Sequence, residues 1–295
     1  MYYRRKICLS MLQVFGNELD KIQLQKLLFL HSRYKTKGKN YDFVPYKYGA
    51  FSFQANADLH TLEKYGIVEE KPTSWKKTDS TDYLRQINRD DEKILRDFGI
   101  LYKDKSSEDL IKLTYKNFPY YAINSTIAHK YLSDNELKKV EQLKLKDNEV
   151  VLYTIGYEGL SLESYLNKLI RSGVKLLCDV RRNAASMKYG FNKRQLENAC
   201  AGVEIQYLHI PEVGIESEKR KELTSQIDYD QLFDDYKSTN LSNTKTYQEK
   251  ILNLLIQNKK VALTCFEADN CQCHRTHLAD AISKFPSFKF EIEHL

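Results

Sequence analysis

An α/β fold is predicted for the second half of this chain, with a mainly helical half before it, and three observations carry that reading. Short apolar runs stop abruptly at polar clusters, as at Thr154–Gly159, Cys178–Arg182 and Val261–Arg275. Between those runs, apolar residues recur at one-face helical spacing, which gives alternating strands and helices over residues 149–295. Residues 1–72 instead read as helix, helix, aromatic segment, helix and short strand, the grammar of a winged helix. The fold class is therefore a C-terminal Rossmann-like parallel sheet domain preceded by a mainly helical, winged-helix-like domain.

Composition sets the class. The chain has 295 residues, 42% of them hydrophobic and 29% charged, enough to bury a sizeable core in about two domains. All of the net charge of +6 falls in residues 1–150, where 27 Lys and Arg face 21 Asp and Glu. That bias permits a polyanionic partner there. Six irregularly placed cysteines do not form a secreted disulfide framework, and no apolar run approaches the roughly 18 residues that span a membrane. A cytoplasmic location without a signal peptide and without membrane partners is expected.

In order, residues 2–15 form a helix closed by Gly16-Asn17, and Asp20 caps a second over Lys21–Tyr34. A basic loop over 35–40 leads into the aromatic segment 41–52, then a helix ending at Gly66 and a strand at 67–70. Lys35, Lys37, Lys39, Tyr46 and Lys47, with Tyr41 and Tyr48 interleaved, suit phosphate contact with stacking and are the candidate nucleic-acid contacts. Residues 73–148 are charged and helical in pattern and read as a connector. The motifs KIQLQKLLFL, YDFVPYKYGAFS and DLHTLEKYGIV resemble a Panacea or SocA-like antitoxin-associated domain over about residues 5–72. The resemblance implies a protein or nucleic-acid partner for residues 1–72 and a setting in bacterial or phage defence.

The α/β domain is placed at 149–295. Strands are expected at 149–155, 174–180, 205–211, 261–264 and 288–292. Helices follow Gly159, Asn192 and Thr276, with two more around 233–236 and 247–257. If the sheet is parallel, its carboxyl edge gathers Glu158, Asp179 with Arg181 and Arg182, His209 with Glu212, and the loop Cys265–Arg275. Acids and arginines in one cleft can neutralise phosphate, activate water or support an oxocarbenium ion. Catalytic candidates are Glu158, Asp179, His209, Cys265, Glu267 and His274. Substrate-binding candidates are Gly156, Tyr157, Arg181, Arg182, Tyr189 and Arg275.

TIGYEG, CDVRR, YGFNKRQLE, YLHIPEVG and TCFEADNCQCHR, in that order, are similar to the successive motifs of the family known as domain of unknown function 488, over about residues 150–285. The resemblance implies an α/β fold with a polar pocket and no settled reaction. By position it transfers weight to Gly156, Tyr157, Glu158, Asp179, Arg181, Cys265, Glu267, Cys273, His274 and Arg275. The expected function is a nucleic-acid-directed, hydrolytic enzyme acting on a nucleotide, base or modified base. In it arginines bind phosphate, Asp179 or Glu158 polarises water, and His274 or His209 moves the proton.

Two alternatives stand beside it. One is a non-catalytic nucleotide or modified-base sensor. The other is sulfur transfer at Cys265, because the Asp-Val-Arg strand and later cysteine loop resemble rhodanese-like sulfurtransferases in order. No cofactor is expected. Zinc on Cys265, Cys271, Cys273 and His274 is the contrary possibility, opposed by the C-x5-C-x-C-H spacing and by the adjacency of Cys273 and His274.

Overall fold

The chain opens with helix α1 (Tyr3–Val14), whose Ile7, Leu9, Met11 and Leu12 are fully buried. Strand β1 (Glu18–Asp20) follows, and Asp20 and Gln23 form a capping box at the start of α2 (Lys21–Tyr34). A hairpin, β2 (Val44–Tyr46) and β3 (Gly49–Phe51), precedes α3 (Phe53–Lys64), whose N-cap Ser52 accepts the Ala55 N–H. Then come β4 (Val68–Glu70) and β5 (Ser74–Lys77). β5 lies between β1 and β4, antiparallel to both. Helix, strand, two helices and a two-stranded wing closed by the first strand make this part winged-helix-like, with β2–β3 inserted between its second and third helices.

This computed structural model describes all of residues 1–295 except 36, 37, 39, 145–147, 221, 222 and 224. It comprises two compact units, Met1–Lys144 and Leu145–Leu295. α4 (Arg89–Tyr102), α5 (Ser107–Asn117) and α6 (Asp134–Gln142) complete the first. Leu95, Phe98, Tyr102 and Leu110 share one core with Leu12, Leu28, Phe29 and Trp75. The helices expected as a connector thus supply part of the first unit's interior, because their apolar stripes face α1 and α2.

The second unit runs β6 (Val151–Gly156), α7 (Leu162–Arg171), β7 (Leu176–Asp179), α8 (Lys193–Gly202), β8 (Gln206–His209), α9 (Gln226–Asp235), α10 (Lys245–Asn258), β9 (Lys260–Cys265), α11 (His274–Ser283) and β10 (Glu291–His294). All five strands are parallel, in the order β10-β6-β9-β7-β8. β6 and β9 are buried along their whole length, which is why they read as continuous apolar runs. The order departs from simple succession: β9 sits between β6 and β7, so the β6-α7-β7 crossover skips one strand. Three carboxyl ends, those of β6, β9 and β7, are thereby neighbours at the centre of the sheet.

Some boundaries shift from the sequence reading. α11 begins at His274 rather than Thr276, with Cys273 as its N-cap. Gln195 reaches back to the Gly190 N–H at 3.1 Å instead of boxing Asn192. Among the described residues no helix is long and apolar enough to cross a membrane.

Candidate active site

β6 hands the chain into Gly156-Tyr157-Glu158, where the Tyr157 and Glu158 N–H groups both donate to the Phe266 carbonyl, at 3.1 and 2.9 Å. Glu158 Oε2 accepts the Ala268 N–H at 3.0 Å. The turn after β6 and the loop after β9 are therefore stitched together. A Cβ on Gly156 would stand 1.8 Å from the Glu267 carbonyl oxygen, so only glycine admits this approach. Through this bond the exposed Glu158 carboxylate helps hold the loop's backbone.

At the end of β7, Asp179 is wholly buried. Arg181 grips it with Nε to Oδ1 at 2.8 Å and with its NH2 group to Oδ2 at 2.5 Å. Tyr207 donates to Oδ2 at 2.6 Å, and the Arg181 N–H to Oδ1 at 3.2 Å. The remaining Arg181 donor is shared by the Tyr157 hydroxyl and the Phe191 carbonyl, each at 2.9 Å. Burial alone would lower the Arg181 pKa, but the Asp179 hydrogen bonds and charge outweigh it and hold the group above its usual range. Burial and Asp179 likewise push the Tyr207 hydroxyl up. Each polar side-chain atom of Asp179 and Arg181 has a hydrogen-bond partner, so the pair forms a braced frame at the end of β7. His209 Nε2 donates to the Arg181 carbonyl at 2.9 Å and belongs to the same frame.

At the end of β9, Cys265 is 1% exposed. Cys265 Sγ and Cys273 Sγ each donate to Glu267 Oε2 at 3.1 Å. His274 Nδ1 lies 3.5 Å from Cys265 Sγ, and its Nε2 lies 3.0 Å from the Val180 carbonyl. A carbonyl only accepts, so Nε2 carries a proton, and Nδ1 is the ring nitrogen that faces Cys265. Burial first, then hydrogen bonding and charge from Cys265 and Glu267, raise the Cys273 thiol well above its usual range. Tyr236 packs edge-on against His274 at 5.6 Å.

Arg275, 1% exposed, wraps the same loop. Its guanidinium donates to the Glu267 carbonyl at 2.5 Å, the Ala268 carbonyl at 3.2 Å and Asn270 Oδ1 at 2.6 Å. These partners are all oxygens of the loop itself, two from the backbone and one from a side chain. Cys271 is exposed and stands apart from the other two loop cysteines.

A crevice of about 310 Å³ opens between these strand ends, lined by Tyr157, Arg181, Arg182, Asn183, Ser186, Phe266, Cys265 and His274 among others. Tyr157 stacks on Phe191, centroids 4.2 Å apart, while Phe266 is 43% exposed. Arg182 is half-exposed, with the Pro211 carbonyl at 3.4 Å and Glu216 at 3.7 Å as loose partners. Tyr189 is part-exposed and does not line the crevice. The site thus keeps Cys265, Glu267, His274, Tyr157 and Arg182 together.

Sequence reasoning missed Asn183, Ser186 and Phe266 as lining, and Tyr207 as an Asp179 partner. The alternation of β8 carried one signal, since Tyr207 and His209 two residues apart face the same side. The loop residues carried none, because their placement depends on how 183–191 folds back.

Of the basic and aromatic patch expected in the first unit, Lys35, Tyr46 and Lys47 are among the described residues. Lys35 Nζ is tied to buried Asp91 at 2.7 Å, and Tyr46 stacks on Phe51 at 4.8 Å. Lys47 is exposed on the β2–β3 turn. Lys37 and Lys39 lie outside the described residues. A separate cleft of about 810 Å³, largely apolar, is lined by Lys26, Tyr46, Tyr48, Phe51, Leu59 and Trp75 among others.

The second unit is thus an α/β domain whose central parallel strands deliver two thiols, an imidazole and a carboxylate to the edge of one crevice. Residues 161–282 match the family described as Domain of unknown function DUF488. The match begins after β6 and covers the strands, helices and loop from α7 into α11. No curated protein and no solved structure matches the chain.

Proposed function

We propose that the second unit is a hydrolase for a nucleotide, base or modified base taken singly into the crevice, working on nucleic acid or its components. The observation that carries this reading is the lining: the Cys265–His274 pair beside an exposed aromatic ring and a loosely held arginine, in a space of about 310 Å³. That volume is at the small end for ligand sites and suits one base or nucleotide, not a duplex. Phe266 offers a stacking face, and Arg182 with Asn183 and Ser186 offers phosphate or sugar contacts. Glu267, bonded to the crevice-lining Cys265, would take the proton of an attacking water.

Sulfur transfer at Cys265 is less favoured, because the Glu267 carboxylate beside its thiol opposes an anionic persulfide. The sensor or adaptor reading keeps one specific support, the apolar cleft of the first unit, which suits an apolar segment of a protein partner. In a defence setting that unit would recruit the partner or the nucleic acid.

Mass spectrometry after incubation with plain and base-modified duplex DNA, single-stranded DNA, RNA and free nucleotides tests the proposal. A released base or cleaved bond, lost in His274→Gln, with KM raised in Arg182→Ala, is the expected result. Saturable binding without product on any substrate would replace the hydrolase with the sensor. Neither binding nor product would end both.

A further inference from the structure

Cys265 Sγ, Cys273 Sγ and His274 Nδ1 lie within 4.8 Å of one another, and all three residues are buried. The adjacency of Cys273 and His274, which counts against a shared ligand in sequence, is resolved by the backbone. Cys273 is the N-cap of α11, extended at φ −132° and ψ 131°, and the helix begins with the next residue. The change of direction between them turns both side chains to the same side. Cys265 arrives from the end of β9 and completes the triangle. The imidazole is already oriented from behind, since Nε2 is held by the Val180 carbonyl, the arrangement that commonly fixes a metal-bound histidine.

We propose that these three side chains bind a zinc ion, with water in the fourth position and the Glu267 carboxylate as the acceptor for that water. Two thiolates and an imidazole are a donor set zinc prefers, and three protein ligands with one open position are the catalytic form of the site. Cys271, exposed and outside the triangle, is not a ligand. On metal binding both thiols lose their protons to solvent, and Glu267, to which both now donate, is released to face the bound water. The Arg275 guanidinium, bonded to the Glu267 and Ala268 carbonyls of the same loop, keeps a positive charge close to the anionic ligand set. The site borders the crevice through Cys265 and His274. The water-activating role rests on the hydrolase reading; metal binding does not.

The full-length protein, purified under reducing conditions, is stripped with chelator, dialysed and titrated with zinc, with bound metal read by elemental analysis. One zinc per chain is expected, and cobalt in its place should show the intense near-ultraviolet bands of thiolate-to-metal charge transfer. Cys265→Ser, Cys273→Ser and His274→Gln should each weaken binding by at least about 100-fold, more than typical losses from the groups behind a ligand. Cys271→Ser should bind as wild type, and Glu267→Gln should keep the metal while losing product. Circular dichroism checks that each variant folds, and the cobalt spectrum tests the wild type with no substitution at all. Failure of the wild type to retain zinc, cobalt bands without thiolate character, or equal loss in Cys271→Ser and Cys273→Ser overturns the site. Product formed by the zinc-free protein would sink the metal's water-activating role and leave the hydrolase standing. Bound zinc with no product on any substrate would do the reverse.

Discussion

The ends of β7 and β9 are neighbours in the same sheet, both polar and both buried, yet they are built on opposite logics. At β7, Asp179 meets Arg181 twice and Tyr207 once, so charge is matched by charge and every strong bond is made. At β9, two thiols converge on one carboxylate oxygen with an imidazole nitrogen 3.5 Å from one of them. The first arrangement is satisfied as it stands. The second crowds two thiols, a carboxylate and an imidazole into one buried corner, a donor set of the kind that takes up a metal ion or a proton. A buried acid in a cleft is therefore weak support for catalysis until its partners are counted.

Breaking the β7 corner should give the largest effect on folding. Arg181→Ala leaves Asp179 buried and uncompensated, and should cost about 3–5 kcal/mol in urea denaturation. Cys265→Ser should cost about 1 kcal/mol or less, because a small buried side chain is exchanged for one close in size with the Glu267 acceptor still in reach. If the two variants prove equally destabilised, the distinction between frame and reactive site fails.

The junction between the two ends comes next. Gly156→Ala drives a methyl group to 1.8 Å from the Glu267 carbonyl oxygen, so the loop after β9 must move. A loss of about 2–4 kcal/mol is expected, in the range of strained or overpacked sites. Displacement of Glu267 should also remove the zinc or product signal even where the protein stays folded. Unchanged stability and unchanged metal binding would mean that the loop is loosely held.

The β7 and β9 ends were unequally legible in sequence. The strands and their shared edge could be read because fully buried parallel strands leave continuous apolar runs, as in Val261–Thr264, and because helix stops such as Gly173 are local. The sheet order could not, since nothing local says that β9 inserts between β6 and β7. Asp179 and Arg181 could be placed at the shared edge, but their mutual saturation depends on side-chain geometry two residues apart at a strand end. The convergence of Cys273 and His274 was hidden for a related reason: it follows from a helix beginning two residues earlier than its apolar spacing suggests.

Lys26 in the first unit sharpens the contrast between matched and unmatched buried charge. It is 2% exposed at the cleft, and its ammonium donates to the Ala50 carbonyl at 2.9 Å. Burial lowers its pKa from 10.5 to about 7. Between those values the unfolded chain binds the extra proton, so wild-type stability gains from this group as pH rises from about 7 toward 10 and carries the full penalty below 7. Lys26→Met should be more stable than wild type by about 1–3 kcal/mol at pH 6, with the difference shrinking as pH rises through that window. A difference constant with pH, measured by thermal or urea unfolding, would show that Lys26 stays charged in the fold.

The smallest effect is expected at Glu158, whose carboxylate joins the turn after β6 to the Ala268 N–H from an exposed position. Glu158→Gln keeps an oxygen that can accept the same bond and loses only the charge, so about 0.5 kcal/mol is expected, while Glu158→Ala loses the bond and about 1 kcal/mol. Activity and zinc content should follow the same order, slightly lowered in Ala and near wild type in Gln. That graded pattern is the signature of a residue that positions the loop. Full stability with total loss of turnover in Gln would instead make Glu158 the group that handles the proton, and would move the chemistry from the β9 end to the β6 turn.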